Sequence, residues 1–395
     1  MLGRPGLLPL PVELGEAPEF VWKTLSVGSL FSRPLAGTRP GHARQPIRAV
    51  WLAASFAVVA AIAGALAAAF LSGGMHTAAP SPRLQDRQLV VHGVRYGYAV
   101  YVPSTYRRGA SPPLLVVIHG CNTTADAQSQ ISDYAPLAQR YGFVVLYPDV
   151  DAVDLAMGRC WQALFDAQAE GRGRGDAGAI AAMTHRVMRT WNIDPKRIYA
   201  IGISSGGFEA SVLGADYPDL YAAIGIHSGA AYMAASAGCG VTAASPTVTR
   251  GLAADALRAM GPRARVMPVV LFHGDADGRI PYGCGEQAYA QWLATDDLVL
   301  RREHRAVLSS SSAARVTRGA VSHGHTYTVR SVEITSGCSL LQFWTVHGMG
   351  HYWSGGSSDP AWARYTDPQG PSAASASWAF FSHLRLSYSV SGMCR

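Results

Sequence analysis

Residues 197–207 read RIYAIGISSGG, from Arg197 to Gly207, and this stretch decides the fold. A short run rich in isoleucine and aromatic residues ends in Gly202-Ile203-Ser204-Ser205-Gly206, a G-x-S-x-G pattern, and a helical stretch follows it. A serine between a buried strand and a helix sits on a tight, strained turn, where glycines two residues before and two after it remove side chains that would clash. In a chain with 42 glycines the pattern alone could be an ordinary Gly/Ser turn. Its strand–turn–helix setting is what distinguishes it.

Working outward, short continuous apolar runs recur at 114–119 (LLVVIH), 143–147 (FVVLY), 221–226 (YAAIGI), 266–273 (VMPVVLFH) and 340–347 (LLQFWTVH). Runs of this length without polar alternation read as parallel strands buried on both faces. Helical patterns lie between them, the clearest running from Asp176 as N-cap through Ile180, Met183, Val187 and Trp191 before Asn192 and Pro195 stop it. Residues 88–102 (QLVVHGVRYGYAVYV) alternate apolar and polar around His92-Gly93, which predicts an antiparallel β-hairpin opening the domain. The expected fold class is α/β, a doubly wound, mostly parallel sheet with an N-terminal antiparallel hairpin. There is no internal repeat, Ser309–Ser312 with Arg-rich flanks reads as a surface loop, and 88–395 is expected to be one catalytic domain.

The N-terminal region has a different composition. Residues 49–71 are 23 uncharged, apolar residues, preceded by Arg33, Arg39, Arg44 and Arg48 with no acid after Glu19. Such a segment can span a bilayer, and the arginines keep the N-terminus cytoplasmic and send the rest of the chain outside. The expected organisation is therefore 1–48 as a cytoplasmic or mis-assigned extension, 49–71 as a signal-anchor or signal peptide and 72–87 as a linker to the exported domain. The expected location is extracellular or periplasmic, with a tether to the inner membrane if 49–71 stays uncleaved.

Residues 83–395 hold 27 basic and 23 acidic residues, a net +4, scattered without the basic runs and interleaved aromatics of a nucleic-acid groove. Nucleic acid is excluded as a partner on that ground. The six cysteines, Cys121, Cys160, Cys239, Cys284, Cys338 and Cys394, include no CxxC spacing, so no zinc site is expected. Their even number allows 15 pairings in an oxidising compartment. The glycine-rich run Gly171–Gly175 lacks the GK[ST] of a phosphate loop, so neither nucleotide nor cofactor is implied.

A serine hydroxyl needs a general base, and that base needs an orienting carboxylate. After the strand ending at His273, the loop HGDADGRIP offers Asp275 and Asp277; after the last strand, GMGHYWSGG offers His351. Both loops leave the carboxyl ends of strands, where open α/β sheets place their sites. An ester's developing oxyanion requires two preorganised N–H donors, expected from Ser205 and from Cys121 in the loop His119-Gly120-Cys121. His119 itself reads as a packed, hydrogen-bonded residue.

The blocks YAVYVPSTY, LLVVIHGC, CWQALFDAQ with GRGRGD after it, GISSGG, HGDAD and GMGHYWSGG occur in this order across residues 88–383. In them the chain resembles the poly(3-hydroxybutyrate) depolymerase family of α/β-hydrolase esterases, in the type whose oxyanion loop precedes the nucleophile. Feruloyl and acetylxylan esterases share the same blocks. The resemblance implies Ser204 as nucleophile, His351 as base, Asp277 rather than Asp275 as the orienting acid, the Cys121 and Ser205 amides as oxyanion donors, and Trp161 and Trp353 near the cleft. It implies no cofactor and no metal. For an exported chain three disulfides are expected, Cys121–Cys160, Cys239–Cys284 and Cys338–Cys394.

The expected activity is hydrolysis of short-chain poly(3-hydroxyalkanoate), as amorphous polymer or oligomers, with a polyester or oligoester as the partner molecule. Crystalline granules are expected to stay nearly untouched, since the chain stops at Arg395 without a granule-binding module. A feruloyl or acetylxylan-type carbohydrate esterase is the alternative. A non-catalytic polymer-binding envelope protein on the same scaffold is disfavoured because all three candidate catalytic residues are present.

Overall fold

The structure, a computed structural model, describes residues 83–150, 158–234, 239, 245–303, 314–334 and 338–394. The apolar stretch 49–71, the residues before it, the segment up to 82 and the Ser309–Ser312 loop lie outside these. Among the described residues no helix is long and apolar enough to cross a membrane. All of them belong to one compact unit, 77–395.

Ten strands form one sheet. They are β1 (Arg83–Val91), β2 (Val94–Val102), β3 (Leu114–Ile118), β4 (Val144–Asp149), β5 (Ile198–Ile203), β6 (Ala223–His227), β7 (Val269–Gly274), β8 (Arg315–Ala320), β9 (Thr326–Ile334) and β10 (Cys338–Val346). Their spatial order is β1-β2-β4-β3-β5-β6-β7-β10-β9-β8. The six central strands, β4 to β10 in that order, pair in parallel, as the apolar runs predict. β1 and β2 form the antiparallel hairpin around His92 and Gly93, both at positive φ, the geometry a tight two-residue turn demands.

Two features differ from the sequence reading. β1 begins at Arg83, so residues 83–87 are part of the sheet rather than of a linker. They pair with Tyr98–Val102, and Leu84 packs on the core. On the opposite edge β8 and β9 add an antiparallel ribbon that was not anticipated. All six β8 positions are exposed or nearly so, which leaves the segment without the apolar signal of a strand.

Helices cover both faces. α1 (Ala125–Ser132), α2 (Tyr134–Tyr141) and α7 (Ala373–Ser382) pack on one; α3 (Gly175–Trp191), α4 (Ser205–Asp216), α5 (Pro246–Met260) and α6 (Tyr282–Arg302) pack on the other. In β3 the side chains of Leu114, Val116 and Ile118 enter the second layer, while Leu115 and Val117 enter the first. Strict alternation between two apolar layers is why these strands read as continuous hydrophobic runs. α3 starts two residues earlier than expected, with Arg174 as N-cap. Asp176 is therefore not the cap: its carboxylate accepts from the Tyr96 hydroxyl (2.9 Å) and the Gln162 amide (2.8 Å).

The chain runs from β3 out to β4 and then returns to β5 on the other side of β3. That reversal opens a crevice beyond the carboxyl ends of β3 and β5, where open α/β sheets place their ligands. Three disulfides, Cys121–Cys160, Cys239–Cys284 and Cys338–Cys394, leave no free cysteine among the described residues.

Candidate active site

Ser204 stands between β5 and α4 with φ 57° and ψ −126°, a backbone conformation that non-glycine residues avoid. The surroundings enforce it. A Cβ at Gly202 would overlap the Gly206 carbonyl, and one at Gly206 would overlap the carbonyls of Ile118 and His119, so only glycine fits on either side of the turn. The Ser204 amide donates to the His227 carbonyl (3.0 Å), which ties the turn to the end of β6.

The histidine comes from the loop after β10. His351 Nδ1–H donates to Asp277 Oδ2 (2.8 Å), which makes Nε2 the proton-accepting nitrogen. Asp277 Oδ1 accepts from the Arg279 and Ile280 amides (2.9 Å each), so the carboxylate is locked in place with no side-chain exposure. Burial pushes the Asp277 carboxyl up. The hydrogen bond and charge of His351, with the two amides, outweigh burial and hold it below the ordinary carboxylate range. Asp275, two residues away, is taken by another histidine: its carboxylate accepts from His347 Nδ1 (2.8 Å) and the Gly348 amide on the surface. Ser204 and His351 line one cleft with no direct hydrogen bond between them.

His227 lies beneath this pair. Burial first, then the neighbouring His273 and His351, drive its pKa down to about 3, so the ring is neutral and its Nε2 accepts from the Ser354 amide (3.1 Å).

The loop after β3 packs against the serine so closely that a Cβ at Gly120 would lie 3.2 Å from Ser204 Cβ. Cys121 lines the cleft, and Ser205 opens α4 directly behind Ser204. Among the described residues neither amide N–H is spent on another acceptor, as expected for donors reserved for a ligand. The loop is held from several sides. The Asn122 amide donates to Gly158 O (2.7 Å), Thr123 Oγ1 and His119 Nδ1 donate to Gly120 O (2.7 Å each), and the Cys121–Cys160 bridge ties it to the following segment. His119 is thus a buried structural residue.

The two tryptophans require a correction. Trp161 and Trp353 are both wholly buried, and neither lines the cleft. Trp161 supports the loop from below, donating Nε1–H to His119 O (2.9 Å). Trp353 stacks on His227 with ring centroids 5.0 Å apart, and its amide donates to Tyr365 O (2.8 Å). Aromatic size made both look like groove residues; packing decided otherwise. Trp353→Ala should lower stability by about 3 to 5 kcal/mol through the cavity it leaves. It should also depress hydrolysis of short and long esters equally. Thermal unfolding and parallel assays check this, and a loss confined to oligomers would restore a groove role.

The cleft has a volume of about 930 Å³. Ile131, Leu164, Ile203 and Ile280 supply its apolar wall, and Asn122, Gln128, Arg279, Tyr352, Arg364 and Tyr365 its polar one. None of these was singled out from the sequence. Asn122, Ile203, Arg279, Ile280 and Tyr352 carry a signal there, as chain neighbours of Cys121, Ser204, Asp277 and His351; Gln128, Ile131, Arg364 and Tyr365 come from segments that no motif marks.

Comparison with known proteins gives the chain its relatives. Residues 96–307 match the family described as Esterase PHB depolymerase. Acetylxylan esterase A of Emericella nidulans is 35% identical over 143 residues, 36% of this chain and 43% of that protein. A probable acetylxylan esterase A of Neosartorya fischeri is 32% identical over 200 residues, 45% of this chain and 50% of that protein. The matches thus span about half the length of the curated relatives. The solved acetyl xylan esterase from Aspergillus awamori superposes with a TM-score of 0.56 at 22% identity, covering 75% of this chain and 99% of that one, which establishes a shared fold.

Proposed function

The chain belongs to the PHB depolymerase family of esterases, and on that premise we propose that it is an exported serine esterase of short-chain poly(3-hydroxyalkanoate). Its substrates are amorphous polymer or oligomers. The observation that carries this reading is the strained Ser204 turn facing a cleft that also holds His351, whose far nitrogen is held by the buried Asp277.

His351 Nε2 takes the Ser204 hydroxyl proton as Oγ bonds to the ester carbonyl carbon, and the Cys121 and Ser205 amides bind the oxyanion. The alkoxide leaves with the proton from His351. Water, deprotonated by the same imidazole, then releases the acid from the acyl-enzyme. The isoleucine and leucine wall suits a short, methyl-bearing acyl group, and the three disulfides support an oxidising compartment. The proposed organisation remains that of an N-terminal topogenic segment, 49–71, followed by the catalytic domain.

A second substrate class, acetyl groups on a polysaccharide, is favoured by the names of the fungal relatives and by the polar wall of the cleft. A release assay on amorphous polyhydroxybutyrate, hydroxybutyrate oligomers, methyl ferulate and acetylated xylan separates the readings. Hydroxybutyrate release is expected. Acetate release from xylan with no hydroxybutyrate would transfer the assignment.

The pH profile tests the base. Asp277, held below the ordinary carboxylate range, stays ionised wherever a histidine titrates, so a single protonation, that of the imidazole, governs the acid limb. Log kcat/KM should therefore fall with a slope of about one on the acid side. A rate flat down to about pH 4, or a slope of two, would remove a lone histidine base.

A further inference from the structure

Away from the residues that line the cleft, a second group of chemistry-bearing residues is buried. Glu170, Asp176 and Glu209 are each at most 6% exposed, and one carboxylate oxygen from each lies within 4.8 Å of the others. Glu170 accepts from the Asp176 amide (3.2 Å) and the Ala177 amide (2.8 Å) at the start of α3. Asp176 is held by Tyr96 and Gln162. Glu209 differs from both. It is fully buried on α4, aimed at the other two, and among the described residues neither of its oxygens has a partner of full hydrogen-bonding geometry; the Ala163 amide is a nearby donor.

A buried carboxylate without a partner is strongly unfavourable, and three together are more so, unless a cation or protons neutralise them. Among the described residues no ion pair includes Glu170 or Glu209, while the nearby Arg172 is paired with Asp219. Burial drives Glu209 far above the ordinary range, the charges of Glu170 and Asp176 add to the push, and the Ala163 amide opposes it.

We propose that Glu170, Asp176 and Glu209 form an internal calcium site that ties the nucleophile helix to the start of α3 and to the segment after Cys160. Calcium takes oxygen ligands at about 2.3 to 2.6 Å, so two ligands on one ion are at most about 5 Å apart, which matches the spread of the three oxygens. Each carboxylate can bind through one or both oxygens, and those already accepting hydrogen bonds keep a second lone pair. Magnesium fits less well, because it keeps most of its waters and this pocket is closed. Glu209 lies five residues beyond Ser204 on α4, and Asp176 also holds the Gln162 amide two residues after Cys160. The ion thereby braces the two elements that present the serine and the oxyanion loop. The glycine-rich run also finds a use here, since a Cβ at Gly175 would overlap the Glu170 carboxylate.

The test uses purified protein stripped with EDTA and a chelating resin. Equilibrium dialysis against radioactive calcium should give about one ion per chain, and calcium at a hundredfold excess over its Kd should raise Tm by about 5 °C. Glu209→Gln, which keeps shape and removes the charge, should abolish both effects. Binding below about a tenth of an ion per chain with no shift in Tm overturns the proposal. So does undiminished binding by folded Glu209→Gln, or by Glu170→Gln if the first variant does not fold. Hydrolysis of p-nitrophenyl acetate by the calcium-loaded protein is measured alongside, so that failure of the metal site and failure of the esterase reading are told apart.

Discussion

Ser204→Ala should reduce ester hydrolysis by a factor of about 10⁵ to 10⁶ while the protein remains folded. The hydroxyl is the proposed attacking group, and among the described residues it makes no hydrogen bond, so its removal takes away chemistry and almost no packing. The strained backbone supplies an internal control. With φ at 57°, Ser204→Gly should be equally inactive yet more stable than Ser204→Ala by about 1 kcal/mol, because glycine relaxes the conformation that serine must be forced into. Active-site titration and thermal unfolding of the two variants measure this. Retention of more than about a tenth of wild-type turnover in either would remove Ser204 from the role.

Asp277→Asn should cost about 10⁴ in turnover, and Asp275→Asn far less. Asp277 accepts from His351 and from two backbone amides at once, and it has no exposure. An asparagine there must turn its NH₂ toward a donor, either an amide or His351 Nδ1–H. The first strains the loop. The second forces the imidazole into the wrong tautomer. Asp275 pairs with His347 on the surface, where both side chains are more than a third exposed and water can replace the contact. Kinetics of the two variants would refute the assignment if their ranking were reversed.

The central sheet was legible because buried parallel strands must be apolar on both sides, which leaves continuous runs that interruption by helices makes countable. The serine turn was legible for a related reason: its sterics admit only glycine at two positions, so geometry is written directly as residue type. The edge ribbon β8–β9 was not, because β8 is solvated and its alternation carries no hydrophobic contrast. The linker boundary failed likewise at Arg83–Arg87, a polar start to a strand held by backbone pairing to β2.

Taken by itself, the sequence determined the α/β class and the glycine-flanked serine turn, and it supplied the proposed order of serine, acid and base and the two loops proposed to carry the acid and the base. These follow from short-range patterns, periodicity and turn sterics, that survive without knowledge of neighbours. It left Asp275 and Asp277 equivalent in composition and loop, and family resemblance alone chose between them. Tertiary structure decided that Asp277 faces His351 while His347 occupies Asp275, that Trp161 and Trp353 pack beneath the site rather than line it, and that Glu170, Asp176 and Glu209 converge. Each of these depends on which segments distant in the chain are brought together by the closing of the sheet, and no local pattern encodes a partner that arrives from dozens of residues away.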